Sequence, residues 1–295
     1  MAIFNGSPAS ETVIGGDGND ILNGGAGNDT LKGGAGNDIL NGGAGDDTVF
    51  GDKGTDTAHL GAGNDTFVWN PGDGDDKVVG GGGFDTLDFR GKNGGETITI
   101  QANLDGSGVA QFIRANGNID LNGVERIQFE ATTQGQFADT ITINDLTGTD
   151  VQQVAIDLGA GDPSGDGLGD GQIDTVKINS TNGQAITFTD DNGTVKVLGL
   201  GRDVTISNFE AGVDQLVING QTQTVANGQS VTVAAASSNN TGGTSTASDG
   251  SHAAGLALLG QAMASSFVTT GDGHGATPTA DQPSSHQPLL THPHA

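Results

Sequence analysis

The chain has 295 residues, of which 53 are Gly, 36 are acidic and only 10 basic, for a formal net charge of −26. So acidic a chain repels a nucleic-acid backbone and attracts cations; the absence of cysteine excludes disulfides and thiolate metal sites. No segment approaches the roughly 20 apolar residues of a membrane span. This much glycine and self-repulsion would suit disorder, except that the apolar residues recur in fixed phase.

The opening "MAIFNGSPASETVIGG" has neither a basic n-region nor an apolar run, so no Sec-type signal is expected. From Gly15 the chain runs in nines. Six consecutive units end at Val68, Trp69 and Asn70 interrupt, and two more units span Pro71 to Asp88. Position six is always Asp: Asp20, Asp29, Asp38, Asp47, Asp56, Asp65, Asp76 and Asp85. Position four is always Gly, and position eight is Leu22, Leu31, Leu40, Val49, Ala58, Phe67, Val78 and Leu87. Glycine allows sharp turns with positive φ that bring carbonyl oxygens inward, and the last three residues of a unit read as a short strand with its eighth side chain facing the core.

The pattern resembles the RTX (hemolysin-type) calcium-binding nonapeptide repeat, G-G-x-G-x-D-x-U-x. The resemblance implies an all-β fold, a right-handed parallel β-roll in which two units make one turn and units n and n+2 stack about 4.8 Å apart. Stacked carboxylates repel, and Ca²⁺, a hard cation wanting several oxygen ligands, removes the repulsion. By the family's rule each ion takes the carbonyls of positions two and four and the Asp of one loop, with the carbonyls of positions one and three and the Asp two units later. The first site is then Gly16, Gly18, Asp20, Gly33, Ala35 and Asp38, and the second Gly25, Gly27, Asp29, Gly42, Ala44 and Asp47. The same rule carried forward takes in Gly34, Gly36, Gly43, Gly45, Gly51, Lys53, Asp56, Leu60, Ala62 and Asp65, and finally Asp76 and Asp85. Roughly four to six ions are implied. The later loops are less regular: Asp52 replaces a second-position Gly, Leu60 and Pro71 replace first-position ones, and Trp69–Asn70 is expected to break the phase.

From Phe89 to about Ala236 the nonapeptide is lost, yet runs such as "ETITI", "VERIQFEA", "VAIDL" and "DVTISNF" alternate as short strands. Asp139-Thr140-Ile141, Asp174-Thr175-Val176 and Asp214-Gln215-Leu216 echo Asp85-Thr86-Leu87. The expectation for 89–236 is a less regular, β-helix-like continuation of the solenoid that caps the roll; a separate β-sandwich is the competing reading. "DPSGDGLGDGQID" places Asp162, Ser164, Asp166, Gly167 and Asp170 as in a helix-loop-helix calcium loop. Ile173 stands where the closing acid belongs and Asp174 comes one step late, so the segment reads first as a flexible acidic loop.

Residues 237–295 divide into a Ser/Asn/Thr/Gly linker from Ser237 to Ser251, a short amphipathic helix suggested by Leu256, Leu259, Met263 and Phe267, and a disordered Pro- and Ser-rich tail. No Lys or Arg follows Arg202. With the repeats, this end resembles the uncleaved C-terminal signal of proteins that leave Gram-negative cells through a bacterial type I exporter. His252, His274, His286, His292 and His294 fall here and read as solvated side chains rather than metal ligands.

H-E-x-x-H and G-x-S-x-G are both absent, and repeats beginning at Gly15 leave no room in this chain for a catalytic domain ahead of them. Asp139, Asp157 and Asp174 are the candidates if the solenoid acted on carbohydrate, but nothing in their spacing separates catalysis from structure. The expectation is a secreted, extracellular, non-catalytic calcium-binding protein. The alternative is a calcium-dependent glycan-binding or adhesive module whose partner is an extracellular polysaccharide or surface.

Overall fold

A computed structural model describes residues 1–91, 94–131, 137–159, 171–180, 185–226, 228 and 230–233, and the backbone of 244–248, 253–257, 269–270 and 277–278. Every element among them is a strand. The glycine turns of the repeat separate six-residue strands, and alternate strands join alternate sheets. The first sheet stacks Ile3–Asn5, Ile21–Ala26, Ile39–Ala44, Thr57–Ala62 and Asp76–Gly82, all parallel. The second stacks Thr12–Asp17, Thr30–Ala35, Thr48–Lys53, Thr66–Trp69 and Thr86–Arg90 in the same manner. Leu22, Leu40, Ala58 and Val78 lie in register on the first sheet, and Val13, Leu31, Val49, Phe67 and Leu87 on the second; all are buried. This is the parallel β-roll.

Two details differ from expectation. Trp69–Asn70 does not break the phase: the coil lengthens from 18 residues (Ile39↔Thr57) to 20 (Thr57↔Lys77), and every later rung keeps its register. A turn outside the sheet can absorb two residues, whereas an even-numbered slip within it would misplace the loop acids. The stack also starts upstream of Gly15, with Val13 occupying an eighth-position place.

Beyond Asp88 the same two sheets continue, so a separate sandwich does not form. On the first, Gly117–Asn122 pairs in parallel with Asp76–Gly82, an antiparallel meander through Ala110–Arg114 and Thr97–Ala102 follows, and Thr140–Ile143, Thr175–Ile178 and Gln215–Ile218 resume parallel stacking. On the second, Arg126–Glu130, Gln153–Asp157 and Asp203–Ser207 stack in parallel before antiparallel strands close the order. One apolar cluster runs from Val13 to Val225. At the change from regular to irregular coils it turns aromatic: Phe89 packs 5.3 Å from Trp69, 5.0 Å from Phe112 and 5.7 Å from Phe129, centroid to centroid.

The end of the chain corrects two expectations. Thr244–Ser248, inside the expected linker, pairs antiparallel with Ser230–Val233, and Ala253–Ala257 pairs with it in turn, so Leu256 belongs to a strand rather than a helix. An open sheet edge offers the backbone partners that a segment containing Gly255 is poorly disposed to find in a helix. Leu259, Met263, Phe267, the tail histidines and Asp162 to Asp170 lie outside the described residues.

Candidate metal centre

The repeat loops owe their shape to backbone that only glycine supplies cheaply. Gly34 has φ +107°, and a Cβ there would meet the Gly16 carbonyl oxygen at 2.2 Å. Gly16, Gly18, Gly25, Gly27, Gly36, Gly43 and Gly45 share the positive φ. These turns deliver each position-six Asp to the start of a strand, one per half-coil.

The acids form two columns held by backbone. In the first, the Asp20 N–H donates to Asp38 Oδ1 (2.7 Å), Asp38 N–H to Asp56 Oδ1 (2.7 Å), and Asp56 N–H to Asp76 Oδ1 (2.8 Å). In the second, Asp29 N–H donates to Asp47 Oδ1 (2.8 Å), Asp47 to Asp65 (2.7 Å) and Asp65 to Asp85 (2.9 Å). One oxygen of each carboxylate is thereby satisfied. The other is not: Oδ2 of Asp29, Asp38, Asp47, Asp56, Asp65, Asp76 and Asp85 is buried without a hydrogen-bond partner. A buried, unpaired anionic oxygen must take a proton or meet a cation. Burial, opposed by the N–H bond and reinforced by the other acids nearby, pushes Asp47 and Asp65 up to about 6 and Asp56 and Asp76 up to about 7. Asp38 and Asp85 are raised for the same leading reason.

Carbonyls share the gaps with these oxygens. The point where a Gly33 Cβ would lie is 2.4 Å from Asp38 Oδ2 and 2.6 Å from the Gly51 carbonyl oxygen. The same pairing brings Asp20 to Gly33, Asp29 to Gly42 and Asp47 to Leu60. Position-three carbonyls of Ala35, Ala44, Lys53 and Ala62 each accept one N–H, from Gly18, Gly27, Gly36 and Gly45, which leaves the second lone pair of each oxygen. Among the described residues no three His, Asp or Glu side chains converge as a metal-holding group, so a cation in these gaps would draw much of its coordination from main-chain oxygen. An all-oxygen donor set of this kind fits a hard cation such as Ca²⁺. Leu60 offers these gaps only its carbonyl, its side chain being buried.

The sequence reading missed residues at both ends of the second column. Glu11 N–H donates to Asp29 Oδ1 (2.9 Å), and Asp85 N–H donates to Glu125 Oε2 (2.8 Å), so Asp85 is not the last rung. Counting nines backwards from Gly15 would have put Glu11 at position six; nothing local marks Glu125, which reaches its place across 40 residues. Asp139 and Asp174 belong to a further ladder, Glu96–Asp139–Asp174–Asp214, with N–H to carboxylate distances of 2.6, 2.6 and 3.0 Å. Asp157 sits on the other sheet and accepts from Asn208 Nδ2 (2.7 Å) and the Gly159 N–H (3.0 Å). The three candidate catalytic acids therefore do not share one site.

Residues 5–40, 32–67 and 72–88 match the family model of the RTX calcium-binding nonapeptide repeat (4 copies). The segment thus carries RTX repeats, which bind Ca²⁺, and the match begins upstream of Gly15 as the stacking does. No curated protein matches the chain.

Proposed function

We propose that the RTX repeats make this chain a secreted, non-catalytic calcium-binding protein whose roll folds when it meets extracellular Ca²⁺. The observation that carries the reading is the row of buried, unpartnered Oδ2 atoms beside carbonyl oxygens. Gly16, Gly18, Asp20, Gly33, Ala35 and Asp38 would hold the first ion, and the equivalent sets up to Asp76 and Asp85 the others. Extracellular calcium modules have dissociation constants of order 10⁻⁴ to 10⁻³ M. At ~1 mM calcium and a constant near 10⁻⁴ M, each ion stabilises the fold by about 1.4 kcal/mol, and four by about 6 kcal/mol, comparable with a small domain's whole stability. At cytosolic calcium that contribution vanishes, which suits passage of an open chain through a type I exporter, with 237–295 as its signal.

A second reading, glycan binding, draws on the outer face of the first sheet. There the amides of Asn5, Asn23 and Asn41 form a hydrogen-bonded row (2.8 and 2.7 Å) beside the exposed Ile3 and Ile39. A glycan array with calcium tests it. The primary test is circular dichroism of the full chain in chelator and then in millimolar calcium, with magnesium as control. Strand signal should rise with calcium alone; an unchanged spectrum overturns the reading.

A further inference from the structure

The lengthened coil differs from the regular ones in charge as well as length. Asp52 stands where the repeat has Gly and keeps a left-handed backbone, φ +62°. Asp73 stands at position three, the place of Ala26, Ala35, Ala44 and Ala62 in other loops, and it is buried, its Oδ2 accepting from the Asn70 N–H (2.6 Å) and Asn70 Nδ2 (3.2 Å). Its carbonyl accepts the Gly54 N–H at 2.6 Å, and Gly54 bridges to Gly74, so the Asp52 and Asp73 loops are stacked neighbours. The same two loops carry Asp56 and Asp76, 1% and 5% exposed, each with an unpartnered Oδ2 and joined by the Asp56 N–H donating to Asp76 Oδ1 at 2.8 Å. Both additional acids act electrostatically on Asp56, and Asp73 also on Asp76. Lys53 is exposed, so solvent screens its charge.

We propose that the gap between the Asp56 and Asp76 loops is the tightest cation site of the roll, filled before the others, because the buried Asp73, anchored by the inserted Asn70, and the left-handed Asp52 add two negative charges around it. The proposal rests on the calcium reading above. It explains the insertion: without Asn70 the Asp73 carboxylate loses both of these donors. It explains Asp52 too, since a non-glycine residue in left-handed backbone is strained and persists where it serves something. The two acids work as neighbouring charges rather than as direct ligands, in keeping with the lack of a converging side-chain cluster among the described residues. Calcium affinity rises with the negative charge of a site and its rigidity, and two partly screened charges at this range correspond to about tenfold.

The chain supplies its own reporter. Trp69, directly before Asn70, is the single Trp, and Tyr is absent, so terbium emission excited through indole reports an ion near Trp69. The full-length protein would be titrated with Tb³⁺ alongside D52G, D73A and the double variant, with total bound calcium counted separately. The wild type should develop most of its sensitised emission in the first equivalent. In the double variant emission should follow average filling, with its midpoint moved about tenfold higher at unchanged total calcium. D52G is the sharper arm, because it relieves positive φ and would tighten the fold if charge did not matter. Unmoved or lowered midpoints in D52G and D73A overturn the proposal while leaving calcium binding intact. Absence of saturable binding in the wild type overturns the calcium reading itself.

Discussion

The regular roll and the coils after it use the same rung, a loop N–H donating to the carboxylate of the acid one coil later, and reach opposite electrostatic conditions. In the roll each rung leaves an oxygen buried and unpartnered. In the later ladder Glu96 is ion-paired with Arg114 (Nη2–Oε1 3.1 Å), and Asp139, Asp174 and Asp214 are absent from the unpartnered oxygens. An acidic ladder is therefore not by itself a cation site. What distinguishes the roll is the unmet demand of its second carboxylate oxygen together with the nearby main-chain oxygen.

The most severe way to break this comparison is to remove calcium. Chelation of the full chain should withdraw about 6 kcal/mol from the roll. Hydrogen exchange should then show lost protection in Ile21–Ala26, Thr30–Ala35 and Ile39–Ala44, with Thr140–Ile143 and Gln153–Asp157 retained; equal loss in both sets would mean that the two regions fold as one unit. Next in size is the pair Asp47→Asn and Asp174→Asn. An amide at 47 keeps an acceptor for the Asp29 N–H but forfeits a ligand shared by two ions, costing about 3 kcal/mol in millimolar calcium. In chelator the same change should stabilise, because it removes a buried charge. Asp174→Asn should show no such reversal, and a urea denaturation with and without calcium decides.

A pH series sharpens the comparison further. Asp47, Asp56, Asp65 and Asp76 have folded values raised to about 6 or 7 against about 3.9 unfolded. The folded roll then holds protons more tightly than the open chain, so its calcium-free stability is greatest below about pH 4 and is lost as pH rises through 6 to 7. With calcium the trend should reverse, since protons compete with the ion. A chelated roll with a higher urea midpoint at pH 8 than at pH 5 would contradict the burial argument. The smallest effect expected is at the start of the stack. Gly16→Ala, with φ +127° but nothing within 4 Å of the new methyl, should cost about 1–2 kcal/mol. Gly34→Ala, which also meets a carbonyl at 2.2 Å, should cost more, and equal melting shifts would show that the column yields to a methyl group without strain.

Much of the roll was legible because its information is local: eight acids and eight apolar residues at fixed positions in nine specify strand, turn and stacking partner together. Glu11 was overlooked because its loop has Ser7 and Ala9 where the repeat has Gly, although Val13 keeps the apolar place. The triplets at Asp139, Asp174 and Asp214 were visible as echoes, and they stack directly upon one another. The meander from Thr97 to Asn122 was not visible as such: alternation marks a residue run as strand without naming its neighbour, and antiparallel Ile100↔Phe112 looks no different in sequence from parallel Ile100↔Ile143. At Leu256 the helix expected from apolar spacing gave way to the pairing of a sheet edge.

The uniform coil length has a kinetic meaning. Each rung of the roll joins residues 18 or 20 apart, whereas Gln153↔Asp203 closes 50 and Thr97↔Thr140 closes 43. Loop closure grows with the logarithm of length, so a 50-residue closure is about 0.9 kcal/mol less favourable than an 18-residue one. A stack of short, equal closures grows by accretion, each finished coil templating the next, and its rate is limited by the first coil rather than by chain length. Started from either end, such a segment can order onto its own finished edge while the remainder is still open.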